Sequence, residues 1–136
     1  PTLCEMAGLT IPQELQGSSV VPLLSDPEQP WKTAAFSQFL QGRFGRMHPD
    51  HQGRQYMGYA LRTERYRYIE WYDWDPETDA RRSITGRELY DLDKDRLEQV
   101  NIAALPENEE LVEELSVRLD AGWRNARPPL PIQTGK

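Results

Sequence analysis

The stretch Glu88–Ile102, ELYDLDKDRLEQVNI, joins the last strand pattern of the chain to its last helix pattern, and its reading decides how the two are arranged. Alternation in Glu88-Leu89-Tyr90-Asp91-Leu92 sets Leu89 and Asp91 on one side and Glu88, Tyr90 and Leu92 on the other, the pattern of a half-buried strand. The run then breaks into Asp93-Lys94-Asp95-Arg96, where aspartate side chains can accept hydrogen bonds from nearby backbone N–H groups and so turn the chain. Asn101, at the far end, either caps a helix or locks the turn. An EF-hand loop would need Gly at its sixth position and Glu at its twelfth, and neither falls in place, so the stretch reads as a structural corner.

Working back from this corner, Asp75–Gly86, with Pro76 and Gly86, reads as a loop. Before it, Tyr56–Thr63 and Arg65–Asp73 flank Glu64 as two strands of a hairpin. Met57, Tyr59 and Leu61 share one face of the first; Arg67, Ile69 and Trp71 share one face of the second, leaving Tyr66, Tyr68, Glu70 and Tyr72 on the other. Thr33–Phe39 supplies a further strand, which makes a four-stranded antiparallel sheet. Working forward, Glu107–Asn125 is a helix: Leu111, Leu115, Leu119 and Trp123 recur every fourth residue, and the early glutamates suit the positive end of the helix dipole. Glu114/Arg118 and Asp120/Arg124 have the i,i+4 spacing of ion pairs. The leucine stripe is too short for a coiled coil and packs on the sheet.

At the other end of the chain, Pro1–Leu9 reads as a short helix with the stripe Leu3, Met6 and Ala7, and with Gly8 as its stop; Cys4 beside the stripe reads as a buried small apolar residue. Ile11–Pro30 is an extended arm rich in proline, pinned by Val20, Val21, Leu23 and Leu24. Pro128, Pro129 and Pro131 end order, and the tail to Lys136 is extended or disordered. The division expected is therefore residues 1–30 (helix and arm), 31–126 (sheet and helix) and 127–136 (tail). The fold class is α+β.

With 136 residues and a net charge of −6, the chain is of single-domain size and a poor candidate for wrapping nucleic acid. It has no apolar run of membrane-spanning length. The single cysteine excludes an intrachain disulfide and any multi-cysteine zinc site. Charge is unevenly placed: Gln41–Tyr56 carries Arg43, Arg46 and Arg54 against Asp50, together with both histidines, His48 and His51. A polar loop of this length is more often functional than a mere connector. Its guanidinium groups match sulfate or carboxylate oxygens in a forked geometry, so Arg43, Arg46, His48, His51 and Arg54 are the candidate substrate-binding residues. His48-x-x-His51 lacks a third ligand at convincing spacing, and no metal site or catalytic residue is assigned to this chain. Trp71, Tyr72, Trp74, Tyr66 and Tyr68 form either a sugar-stacking surface or ordinary sheet packing and an interface; the second is preferred, because a small sheet with one face under a helix needs its other face covered.

Three blocks carry a resemblance. ELYDL followed by Asp95, Glu98 and Asn101 resembles a signature near the C-terminus of the formylglycine-dependent sulfatases, with Arg96 where that family usually has Pro. LQGSSVVPLL (Leu15–Leu24) resembles a second family segment, and MGYALRTERYRYIEW (Met57–Trp71) resembles the iduronate 2-sulfatase branch. PTLCEMAGL (Pro1–Leu9) is similar to the helix that follows the last strands of the family's catalytic α/β domain. The family's active-site signature, Cys-x-Pro/Ala-Ser-Arg, is not matched, since Glu5-Met6-Ala7-Gly8 follows Cys4.

The resemblance implies the C-terminal subdomain of a sulfatase, as a fragment or light chain, belonging to a larger α/β fold. Its partners would be the upstream catalytic domain and a sulfated glycan. Calcium and formylglycine would reside in that N-terminal domain, with none in this chain, which alone would be inactive. The family's setting is periplasmic, secreted or lysosomal. The chain opens at Pro1 without Met and is expected to begin inside a longer polypeptide. The alternative is a stand-alone sulfated-glycan-binding or structural interaction module.

Overall fold

The computed structural model describes residues 1–41 and 55–128. Four strands, β1 (Ala35–Gln41), β2 (Gln55–Arg62), β3 (Tyr66–Asp75) and β4 (Ala80–Asp91), form one antiparallel sheet in the order β1-β2-β3-β4. The chain separates into two units, one comprising Pro1–Thr33 with the segment beginning at Arg127, the other Ala34–Ala126.

In the second unit, alternation places one cross-strand row, Phe36, Leu61, Tyr68 and Leu89, on a single face of the sheet. Leu61, Tyr68 and Leu89 are completely buried there, because a helix, Glu109–Ala121, lays Leu115 and Leu119 across them. Full burial of a leucine contributes about 2 kcal/mol, so this stripe and row hold the helix to the sheet. Acidic Glu109 and Glu110 occupy the helix's first turn, and Gly122, at φ +77°, ends it. The Glu114–Arg118 pair forms at 3.7 Å, but Asp120 pairs across to Arg81 on β4, and Arg124 lies over the Trp123 ring instead.

The β2–β3 connection is closed by Thr63, whose Oγ1 accepts from the Tyr66 N–H at 2.8 Å, while the Arg62 guanidinium donates to the carbonyls of Thr63 and Glu64. The expected loop Asp75–Gly86 is mostly strand. The turn is confined to the residues after Asp75, whose carboxylate accepts from the Glu77 N–H at 3.0 Å, with Asp79 at φ 54° closing it. Gly86, read as a loop glycine, sits inside β4. A Cβ there would make only an ordinary contact with Trp71, at 3.9 Å.

Of the two roles open to Asn101, the structure shows the lock at the corner after β4. Asn101 Oδ1 accepts from the Leu89 and Ala103 N–H groups and its Nδ2 donates to the Arg87 carbonyl, each at 3.0 Å. Ile102 N–H adds a bond of 2.9 Å to the Leu89 carbonyl. These bonds occupy backbone groups that an edge strand would otherwise leave open. Asp95 accepts from Val100 N–H, and buried Asp91 takes a two-pronged bond from Arg65 at 2.9 and 2.6 Å.

In the first unit, α1 (Thr2–Met6) ends before Gly8, at φ +68°. Leu3 and Met6 are 81% and 64% exposed, and Cys4 is half-buried, so the expected stripe is not a core within this chain. The arm is not wholly extended: Val21–Ser25 is a helical turn, α2, with Pro22 where its missing N–H costs nothing. The helix Glu109–Ala121 is α3.

Candidate functional site

Arg43, Arg46, His48, His51 and Arg54 lie outside the described residues. The strands that flank them are described: Gln41, the last residue of β1, pairs with Tyr56, and Gln55, the first of β2, pairs with Trp74. The connection 42–54 therefore leaves and re-enters the sheet at the end where the β3–β4 turn also lies. The ELYDL corner is at the opposite end.

Between these ends, the two faces carry different chemistry. On the helix side, Glu70 is 2% exposed and is the hub of a hydrogen-bonded cluster. Its Oε1 accepts from the Tyr68 hydroxyl at 2.8 Å and from the Ser116 hydroxyl, on α3, at 2.7 Å; its Oε2 accepts from the Tyr72 hydroxyl. Arg87 Nε stands 3.5 Å from Oε1. Burial alone would push the Glu70 carboxyl up, but the hydroxyls of Tyr72, Ser116 and Tyr68 and the Arg87 charge outweigh it, so the carboxyl is held below its ordinary range. Burial and the Glu70 carboxylate push the Tyr72 phenol up to about 12, and Tyr68 also rises. The arrangement is a satisfied buried carboxylate tying helix to sheet. No reacting group approaches it among the described residues.

Near the same face, Phe36, Tyr59 and Trp123 line a groove of about 410 Å³ with Arg81 and Asp120 at its margin. Tyr59 and Tyr72 meet edge to face, centroids 5.8 Å apart, and the Arg81 guanidinium lies 5.2 Å over the Tyr72 ring. The corner end holds a more polar cleft of about 390 Å³, lined by Arg62, Arg67, Arg96, Glu64, Asp93 and Glu98. Arg67 and Glu98 pair there at 3.1 Å.

The other face centres on Trp71. A Cβ on Gly58 would lie 2.8–3.0 Å from three atoms of the six-membered ring of the indole, so that ring rests on the glycine backbone. The five-membered end points to Gly86, whose Cβ would lie 3.9 Å from Cδ1. Trp71 Nε1–H donates to Glu88 Oε1 at 2.6 Å, and the other Glu88 oxygen accepts from the Tyr90 hydroxyl at 2.6 Å. The aromatic set proposed from sequence is thus divided. Tyr68 and Tyr72 are buried on the helix side with Glu70, whereas Trp71 belongs to the opposite face. Period-two alternation in β3 already separates them; what sequence could not supply was the helical Ser116 that completes the Glu70 cluster.

Among the described residues, no group of three His, Cys, Asp or Glu side chains is placed to hold a metal ion. No helix among them is long and apolar enough to cross a membrane.

Comparison with known proteins places these features in context. The family model described as N-sulphoglucosamine sulphohydrolase, C-terminal, matches residues 1–125. The chain is 28% identical over 124 residues to a Delta 4,5-hexuronate-2-O-sulfatase of Bacteroides thetaiotaomicron, covering 88% of this chain and 21% of that protein. A solved structure of a protein in complex with its substrate D-glucosamine-2-N,6-O-disulfate superposes with a TM-score of 0.55 at 24% identity, covering 89% of this chain and 23% of the other. The chain thus spans about a fifth of the length of the relatives it matches.

Proposed function

Because this chain belongs to the N-sulphoglucosamine sulphohydrolase C-terminal family, we propose that it is the C-terminal subdomain of a sulfatase that hydrolyses sulfate esters on sulfated glycans. Its role is to complete the fold and to form part of the substrate-pocket rim, without supplying the nucleophile. The observation that carries this reading is the family match over residues 1–125, which takes in the N-terminal helix, the arm, the sheet and the terminal helix together.

Sulfate-ester hydrolysis needs a nucleophile aimed at sulfur and positive charge to stabilise the oxygens. The sequence has no Cys-x-Pro/Ala-Ser-Arg motif to supply a formylglycine, and among the described residues no three His, Cys, Asp or Glu side chains come together to hold calcium. The reading assigns both groups to the upstream catalytic domain, and no chemical step is placed in this chain.

Substrate selection is assigned to Arg43, Arg46, His48, His51 and Arg54, in the connection between β1 and β2. Replacing Arg43, Arg46 and Arg54 by Gln in the parent enzyme is expected to raise KM for a sulfated oligosaccharide about tenfold or more, equivalent to about 1.4 kcal/mol. KM for a small aryl sulfate should change little, and equal effects on both substrates would sink the assignment. The likeness to a hexuronate-2-O-sulfatase and the Met57–Trp71 block favour an iduronate 2-sulfatase-like preference, a 2-O-sulfated hexuronate, over other sulfated sugars. Comparing release of sulfate from 2-O-sulfated and N-sulfated disaccharides tests that finer reading.

A further inference from the structure

We propose that the groove between β1 and the C-terminal end of α3 is a saccharide subsite, separate from the connection 42–54, which holds an uncharged part of the same glycan chain by its hydroxyls and C–H faces. The choice of a glycan rests on the proposed function; the character of the groove rests on its own residues.

Strand alternation and a helix end build it. Phe36 and Gln38 share the face of β1 that pairs with Leu61 and Tyr59 of β2, so both side chains stand on the helix side of the sheet. The facing wall is Leu119, Asp120 and Trp123, which the chain brings there by ending α3 at Gly122, φ +77°, and starting a further helical turn, Trp123–Ala126. Every one of these residues belongs to the unit Ala34–Ala126. The volume of about 410 Å³ falls within the range of small-molecule sites, about 300–1,000 Å³.

Rings of Phe36, Tyr59 and Trp123 give the groove apolar walls, and polar groups stand at its margin. The Gln38 amide is exposed, and neither it nor the Tyr59 hydroxyl makes a hydrogen bond among the described residues. Arg81 Nη2 donates to one oxygen of Asp120, whose side chain is 68% exposed and whose other oxygen is open. Arg81 and Asp120 are the charged side chains among the described residues that line the groove, so its net charge is zero. The connection 42–54, with three arginines, offers the excess positive charge that sulfate requires; the groove offers none. What fits the groove is a neutral ring with hydroxyls. The carboxylate accepts from one hydroxyl, the amide and guanidinium donate to others, and the C–H face lies on the aromatic walls. A wholly apolar ligand would bury the amide, the phenol and the ion pair without partners, which is costly.

The position of the groove links it to the basic connection. Gln38 precedes Gln41, the last residue of β1, by three residues, a rise of about 10 Å along the strand. A chain of several sugar units that meets the connection where it leaves the sheet therefore reaches the groove. Selection is then divided, with sulfation recognised in the connection and chain length in the groove.

A desulfated heparin hexasaccharide carries no ester to hydrolyse, so titrating it calorimetrically into the parent polypeptide reads the groove apart from catalysis. It is expected to bind with little dependence on salt. Gln38→Ala combined with Tyr59→Phe, which keeps the packed ring, should weaken it about tenfold. In the same variant, KM for a sulfated hexasaccharide should rise about fivefold more than KM for a sulfated disaccharide. Gln38→Ala alone, at an exposed position, should show part of both effects with an unchanged melting temperature, which a folding defect would not. No binding of the desulfated hexasaccharide, or equal binding by the parent and the variant, overturns the subsite. Binding that vanishes at high salt, or on replacing Arg43, Arg46 and Arg54 by Gln, belongs to the connection and overturns it too. A parent that releases no sulfate from any ester, yet binds the hexasaccharide through Gln38 and Tyr59, overturns the sulfatase reading and leaves the subsite standing.

Discussion

Glu70 and Glu88 stand on adjacent strands, in neighbouring cross-strand rows, and each carboxylate accepts hydrogen bonds from aromatic side chains. Glu70 faces the helix, is buried, and gathers hydroxyls from two tyrosines of its own strand and from Ser116 of α3. Glu88 faces the other way, is half-buried, and accepts from the Trp71 indole and the Tyr90 hydroxyl. The same side chain thus serves cohesion on one face and surface shape on the other. What separates them is solvent: a buried carboxylate cannot exchange lost partners for water, whereas an accessible one can.

The largest effect expected from breaking this contrast is Glu70→Ala. It leaves the hydroxyls of Tyr68, Tyr72 and Ser116 without their shared acceptor, and should cost about 3 kcal/mol in denaturant unfolding. A loss no larger than that of the matching change at Glu88 would show that the helix side is not sealed as described. Next is Gly58→Val. The added side chain must displace the Trp71 ring, a steric cost of about 1–3 kcal/mol, and tryptophan fluorescence should shift with it.

Acid sharpens the contrast further. Since the folded Glu70 carboxyl lies below its ordinary value of 4.5, its contribution is present above that pH and is lost as pH falls through the folded value. Asp75, held by Arg82 at about 2 from an ordinary 3.8, adds to the same limb. Tyr72, raised from 10.0 to about 12, has the opposite sign: its contribution is intact below pH 10 and lost between 10 and 12. A melting-temperature profile should therefore be flat between about pH 5 and 10 and fall on both sides, and Glu70→Gln should flatten the acid limb. The smallest effect is Glu88→Ala, expected to cost about 1 kcal/mol or less while freeing the indole, seen as increased quenching of Trp71 by acrylamide.

Much of the fold was legible because the signals are local. Alternation along Tyr66–Tyr72 assigned each residue to its face, and the four-residue spacing of Leu111, Leu115 and Leu119 identified the helix that covers one of them. Asn101 was readable as either a helix cap or a turn lock, and its bonds to Leu89, Ala103 and Arg87 make it the lock. The extent of β4 was not legible: Pro76 and Gly86 are loop signals on their own, yet Gly86 lies within the strand, paired with Trp71. The Asp120–Arg124 pair was also misjudged, since Arg81 reaches Asp120 from a strand 39 residues away. Of the candidate site, Arg43, Arg46, His48, His51 and Arg54 were chosen for charge and loop length, and the structure describes only the strands that carry them.

By itself the sequence determined the strand and helix periods, the turn chemistry of the corner and, through the blocks Leu15–Leu24, Met57–Trp71 and Glu88–Asn101, the family. Those are properties of residues close together in the chain, where spacing and geometry are tied by the backbone. Only the tertiary structure decided that Ser116 meets Glu70, that Arg81 takes Asp120, and that Gly58 and Gly86 lie on either side of Trp71. Each depends on which residues the sheet register and the helix docking bring opposite one another, and no local pattern specifies that distance in space.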